Sequence, residues 1–86
     1  MRYSLLLTVD LLDKLARGDV PSQTELVRGT IALALHSQAG GDEIDLLTTI
    51  QDLEMLALGQ IAGFDQQARH RAATLAALLR RTVGVH

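Results

Sequence analysis

Four stretches of helical periodicity run along this chain, each followed by glycine. In the first, residues 3–17, Leu5, Thr8, Leu11, Leu12 and Leu15 share one helical face, while Asp10, Asp13, Lys14 and Arg17 mostly take the other. Gly18 is a natural stop. The first residues of this stretch, 3–9, also fit a short strand. The second stretch follows Pro21. Ser22 and Glu25 have capping-box spacing: the Ser oxygen can accept the amide of Glu25, and the Glu side chain can reach back to the Ser amide. This predicts a helix over 23–38, ended by Gly40 and Gly41. Its centre, Ile31-Ala32-Leu33-Ala34-Leu35, is apolar on all sides, which predicts the central and most buried helix. Gly29 inside it reads as a point of close approach by a neighbouring helix backbone.

The third stretch, 42–61, opens with Asp42, Glu43 and Asp45, acids that suit the positive end of a helix dipole. Leu46, Ile50, Leu53, Ala57 and Ile61 form its apolar stripe, with Asp45, Thr48 and Asp52 opposite. The polar stripe then fails, because Met55, Leu56 and Gly59 take the positions that should continue it. An apolar patch with a flexible Met on the wet face is a candidate protein contact. Met55 and Leu56 are its candidate anchors, and Asp52 and Glu54 the groups that would orient a partner. Burial of the same patch by the first or the fourth stretch is an equally supported alternative. Asp65, after Gly63 and Phe64, can cap a fourth helix over 66–82. Ala68, Ala72, Leu75, Leu79 and Val83 make its inner face, and Ala73, Ala76 and Ala77 allow close packing. Residues 84–86 should fray. The pattern predicts an all-α fold, one domain over residues 1–86: a compact bundle of about four short antiparallel helices.

Composition adds a reason to expect a dimer. The chain has 86 residues and is 48% hydrophobic, yet Tyr3 and Phe64 are its only aromatics. A chain this small buries only roughly 63% of its unfolded surface. With no cysteine to form a disulfide, aliphatic surface is left over for a second copy or another protein. The longest apolar runs are far shorter than the ~18 residues of a membrane span, and no secretory signal is evident. A cytoplasmic location without membrane contact is the expectation.

Net charge is −2, which argues mildly against a nucleic-acid protein. Its distribution is uneven. Residues 1–63 carry −5, whereas residues 64–86 carry +3 through Arg69, Arg71, Arg80 and Arg81. The simplest account packs the basic fourth helix on acidic neighbours, within a chain or across a dimer.

No catalytic constellation is present. There is no Cys nucleophile, and Ser4, Ser22 and Ser37 lack the glycine-flanked elbow of a hydrolase. Gly40-Gly41 resembles an anion-binding helix start, but the following acids would repel phosphate. His36, His70 and His86 have no helical metal partner three or four positions away. Five acids between 42 and 54 read as a solvated face, or as a surface docking on a basic groove. No enzyme activity, cofactor or metal is expected.

The first 38 residues resemble ribbon-helix-helix DNA-binding repressors. Residues 2–8 would be the ribbon, and Ser22-Gln23-Thr24-Glu25-Leu26-Val27-Arg28 matches the opening of that family's second helix. The resemblance implies an obligate dimer with its ribbon in the major groove. The chain departs from the pattern in a short first helix and in Leu6, a poor base reader at an outward ribbon position. The leading expectation is therefore a small protein–protein interaction module. It would be an adaptor, antiactivator or inhibitor that occludes a larger protein, of a kind suited to phages and mobile elements. A dimeric ribbon-helix-helix-like DNA-binding transcriptional regulator is the alternative.

Overall fold

The caps that punctuate the sequence set the helices. The computed structural model describes residues 2–84, with side chains from residue 5 onward. Met1, Val85 and His86 lie outside the described residues, and so does the fraying expected at 85–86. The helices are α1 (Arg2–Ala16), α2 (Gln23–Gln38), α3 (Leu46–Ala57) and α4 (Gln66–Thr82). α1 covers residues 2–8, so the segment read alternatively as a strand or ribbon is helical. α2 starts on the capping box: Glu25 N–H donates to Ser22 Oγ at 3.2 Å, and Ser22 N–H donates to Glu25 Oε1 at 3.3 Å. α4 starts on Asp65, whose Oδ1 accepts the Ala68 amide at 2.8 Å. Gly18, at φ +91°, supplies the left-handed turn after α1.

α1 packs on α2 and α4, and α3 closes the ring against the same two helices. Adjacent helices run in opposite senses. Between α1 and α2, Lys14 pairs with Glu25 while Leu11 meets Gly29. Between α3 and α4, Asp52 pairs with Arg71, and Glu43, just ahead of α3, meets Thr82. A methyl of Leu11 fills the place of a β-carbon on Gly29, so the glycine admits a side chain from α1 rather than its backbone. Leu12, Leu15, Leu33, Leu53, Leu75 and Leu79 are almost completely buried at the centre. Each contributes about 1.5–3 kcal/mol by leaving water.

Two expectations are corrected. α2 is not the most buried helix. It has neighbours on two sides only, so its all-round apolar centre leaves Ile31 at 53% and Leu35 at 42% exposure. α3 starts at Leu46 rather than Asp42 and ends at Ala57 rather than near Ile61. Residues 42–45 make a turn in which the Leu46 amide donates to Glu43 O at 3.1 Å and Asp45 takes φ +70°. The acids there do not occupy a first helical turn.

Long-range partners of Glu43 account for the turn. His36 Nε2 lies 2.8 and 2.9 Å from its two carboxylate oxygens, and Thr82 Oγ1 donates to Oε2 at 2.9 Å. One carboxylate thus ties the end of α2 and the end of α4 to the turn between α2 and α3. Burial pushes the Glu43 carboxyl up, but hydrogen bonds from His36, its own backbone amide and Thr82 outweigh it, and the net shift is downward from 4.5. A depressed folded-state value stabilises the fold fully above about pH 4.5, and that contribution is lost as pH falls through the folded value. The melting temperature should therefore drop below pH 4.5. Glu43→Gln should melt below the wild type at pH 6, with the gap narrowing as pH falls below 4.5 through the depressed folded value. A gap that stays constant with pH would remove Glu43 from the explanation.

Candidate interaction surfaces

The four residues proposed from the sequence as a contact patch separate into two pairs. Leu56 is buried in the core, and Asp52 is only 5% exposed. Arg71 on α4 grips Asp52 with two bonds, Nε to Oδ2 at 3.1 Å and Nη2 to Oδ1 at 3.3 Å. α4 therefore covers this side of α3, as the intramolecular alternative anticipated. The Asp52 carboxylate also pushes the Arg71 pKa up from its ordinary value. Glu54 is exposed and Met55 half-buried, so these two remain available at the surface.

Glu54 and Met55 belong to a larger apolar face that the sequence pattern did not isolate. Leu47, Gln51, Glu54 and Leu58 recur at helical spacing along the outer side of α3, all exposed, with Ile44 in the turn just before it. Leu58 is 71%, Ile44 69% and Leu47 66% exposed, more than any other large aliphatic side chain among the described residues. Glu54 lies on this face, Asp42 is exposed two residues before Ile44, and the chain has no Lys or Arg between residues 29 and 68.

A second apolar surface lies between α1 and α2. It is a groove of about 890 Å³ with Leu11, Gly29 and Ala32 among its lining and with Leu7, Ile31 and Leu35 at the surface. Most charges along it are already paired. Lys14 bonds Glu25 at 2.9 Å, Arg17 lies 3.6 Å from Asp19, and Asp13 pairs with Arg80 of α4. Lys14 first, then Ser22, lowers the Glu25 pKa. Asp10 and Arg28, one on each side of the groove, are exposed and have no ion-pair partner among the described residues.

Three of the four C-terminal arginines serve the bundle itself. Arg71 holds Asp52, Arg80 holds Asp13, and Arg69 Nε donates to Ala16 O at 3.1 Å at the C-terminal end of α1. The basic helix thus packs on acidic and carbonyl partners within the chain. His36 is bound to Glu43, and among the described residues no group of His, Cys, Asp and Glu is arranged to hold a metal ion. No described helix is long and apolar enough to cross a membrane. No known protein family, curated protein or solved structure matches this chain.

Proposed function

We propose that this chain is a small non-enzymatic interaction module, an adaptor, antiactivator or inhibitor that occludes a larger protein, and that the outer face of α3 is its docking surface. The observation that carries this reading is the exposure of Ile44, Leu47 and Leu58, the three most exposed large aliphatic side chains among the described residues, along α3 and its two flanks. Single exposed aliphatic residues are ordinary on protein surfaces, but three on one short helix and its flanks call for a cover. Met55 beside them can adapt to an irregular partner. The acids at 42 and 54 favour a partner with an apolar patch rimmed by Lys or Arg, since opposite charge steers and orients association.

DNA binding of the ribbon type has less support. Residues 2–8 are helical, and three of the four C-terminal arginines have partners inside the chain. The test is capture by tagged protein from a nuclease-treated lysate of its native host, alongside Leu47→Asp and Leu58→Asp. The expected result is one stoichiometric protein that survives nuclease and is lost at least about tenfold in either variant, with helical circular dichroism unchanged. Recovery of DNA, with protein partners lost on nuclease treatment, would favour the regulator. Capture indifferent to both substitutions would remove the α3 face from the account.

A further inference from the structure

We propose that two copies of this chain pair face to face through the α1–α2 groove. The dimer is related by a two-fold axis that lies in the plane of that face and runs along the helices. The inference shares no residue with the α3 face and stands independently of it. It begins from a mismatch between pattern and burial. A helix that is apolar all round belongs in an interior. α2 has that pattern at 31–35, yet its outer side meets no other helix of the same chain and leaves Ile31 and Leu35 in solvent beside Leu7 of α1.

The register within one chain shows why a second copy fits. Lys14 stands level with Glu25, and Leu11 with Gly29. Continued by one turn, this pairing places Leu7 level with Ala32 and Leu33, midway between Ile31 and Leu35. The same register places Asp10 level with Thr30, two residues from Arg28, or about 3 Å along the axis. The proposed two-fold axis lays α1 of one copy over α2 of the other at the same level and in opposite directions. Leu7 then enters between Ile31 and Leu35 of the second copy, and Asp10 meets Arg28 of the second copy. Symmetry makes every contact twice, as an isologous interface requires. Asp10 and Arg28, the groove charges without an ion-pair partner among the described residues, thus become partners of each other.

The face is small. A 16-residue helix is about 24 Å long, and the molecule is 20 Å across. A face of those dimensions is under about 500 Å² in projection, below the roughly 800 Å² per partner of a standard interface and in the range of weak, transient ones. The dimer should therefore dissociate on dilution rather than behave as obligate.

Sedimentation across a concentration series tests the pairing, using wild type, Asp10→Arg, Arg28→Asp and Ile31→Asp. Wild type is expected to pass from 9.3 kDa to twice that mass as concentration rises. Ile31→Asp should stay monomeric with its helical signal intact. Each charge reversal puts two like-charged contacts into its own homodimer and should weaken it about tenfold. Mixing Asp10→Arg with Arg28→Asp restores two opposite-charge contacts, so the mixture should dimerise when neither variant does alone. Wild type that is monomeric throughout the series would overturn the proposal, as would a dimer unaffected by either reversal or a mixture that fails to recover. Loss of a captured larger protein in Ile31→Asp, with wild type monomeric, would assign the groove to that protein instead.

Discussion

Replacing Leu53 with alanine should cost about 3–5 kcal/mol, the largest effect expected of any single substitution in α3. Leu53 is completely buried, at the centre of the core, near Gly29 of α2. Truncation removes its transfer free energy and leaves a cavity that packed helices refill only in part. Roughly 4–13 kcal/mol is the whole stability to be expected of a chain this size, so the variant should lose a large fraction of it. Leu56→Ala should cost at least about 2 kcal/mol for the same reason. Leu58→Ala, on the opposite side, should cost less than about 0.5 kcal/mol. Urea titrations of the three variants read the orientation of α3 directly. Equal costs for Leu56 and Leu58 would mean that the helix is rotated from the position described.

The second large effect is expected at the Asp52–Arg71 pair. Arg71→Ala should cost about 2–3 kcal/mol, because it leaves the Asp52 carboxylate, with a side chain only 7% exposed, without its cation. Buried pairs lose about 3–5 kcal/mol when one member is removed, and the quarter-exposed Arg71 places this one at or below the low end. Asp52→Ala should cost less, since Arg71 can turn toward solvent. Asp52→Leu combined with Arg71→Met should recover much of the loss, because an apolar pair carries no desolvation penalty. The same urea titrations distinguish these outcomes. A double variant no better than Arg71→Ala would mean that the pair positions α4 against α3 through geometry that apolar packing cannot supply.

Local chemistry was readable from the chain where its partners were local. The starts of α2 and α4 follow from Ser22, Glu25 and Asp65, whose capping partners lie three residues away. The inner face of α4, from Ala68 to Val83, is buried as its spacing implies. The start of α3 was not readable, because the groups that hold Glu43 out of the helix are His36 and Thr82, 7 and 39 residues distant. Helical spacing placed Asp52 on the wet side of α3 because it was judged against a single apolar stripe. α3 instead has neighbours on two sides, and the second of them supplies Arg71 and covers Leu56. The exposed half of the candidate patch, Glu54 and Met55, was visible in the sequence, but Leu47 and Leu58 beside it were not. An aliphatic residue facing water and one facing a core look alike until the ring of helices is closed. The same ambiguity hid the groove, since the apolar run at 31–35 reads as interior whether its cover comes from one chain or two.

Site-specific photocrosslinking from Gln51 is the most direct test of the α3 face as a docking surface. Gln51 is exposed and lies between Leu47 and Leu58 on that face. A crosslinking amino acid there should leave the fold intact, and the same substitution at Gln67, an exposed position in the first turn of α4, serves as control. In nuclease-treated lysate of the native host, the docking account predicts one dominant protein adduct from position 51 and none from position 67. No protein adduct from 51, or equal adducts from both positions, would contradict it.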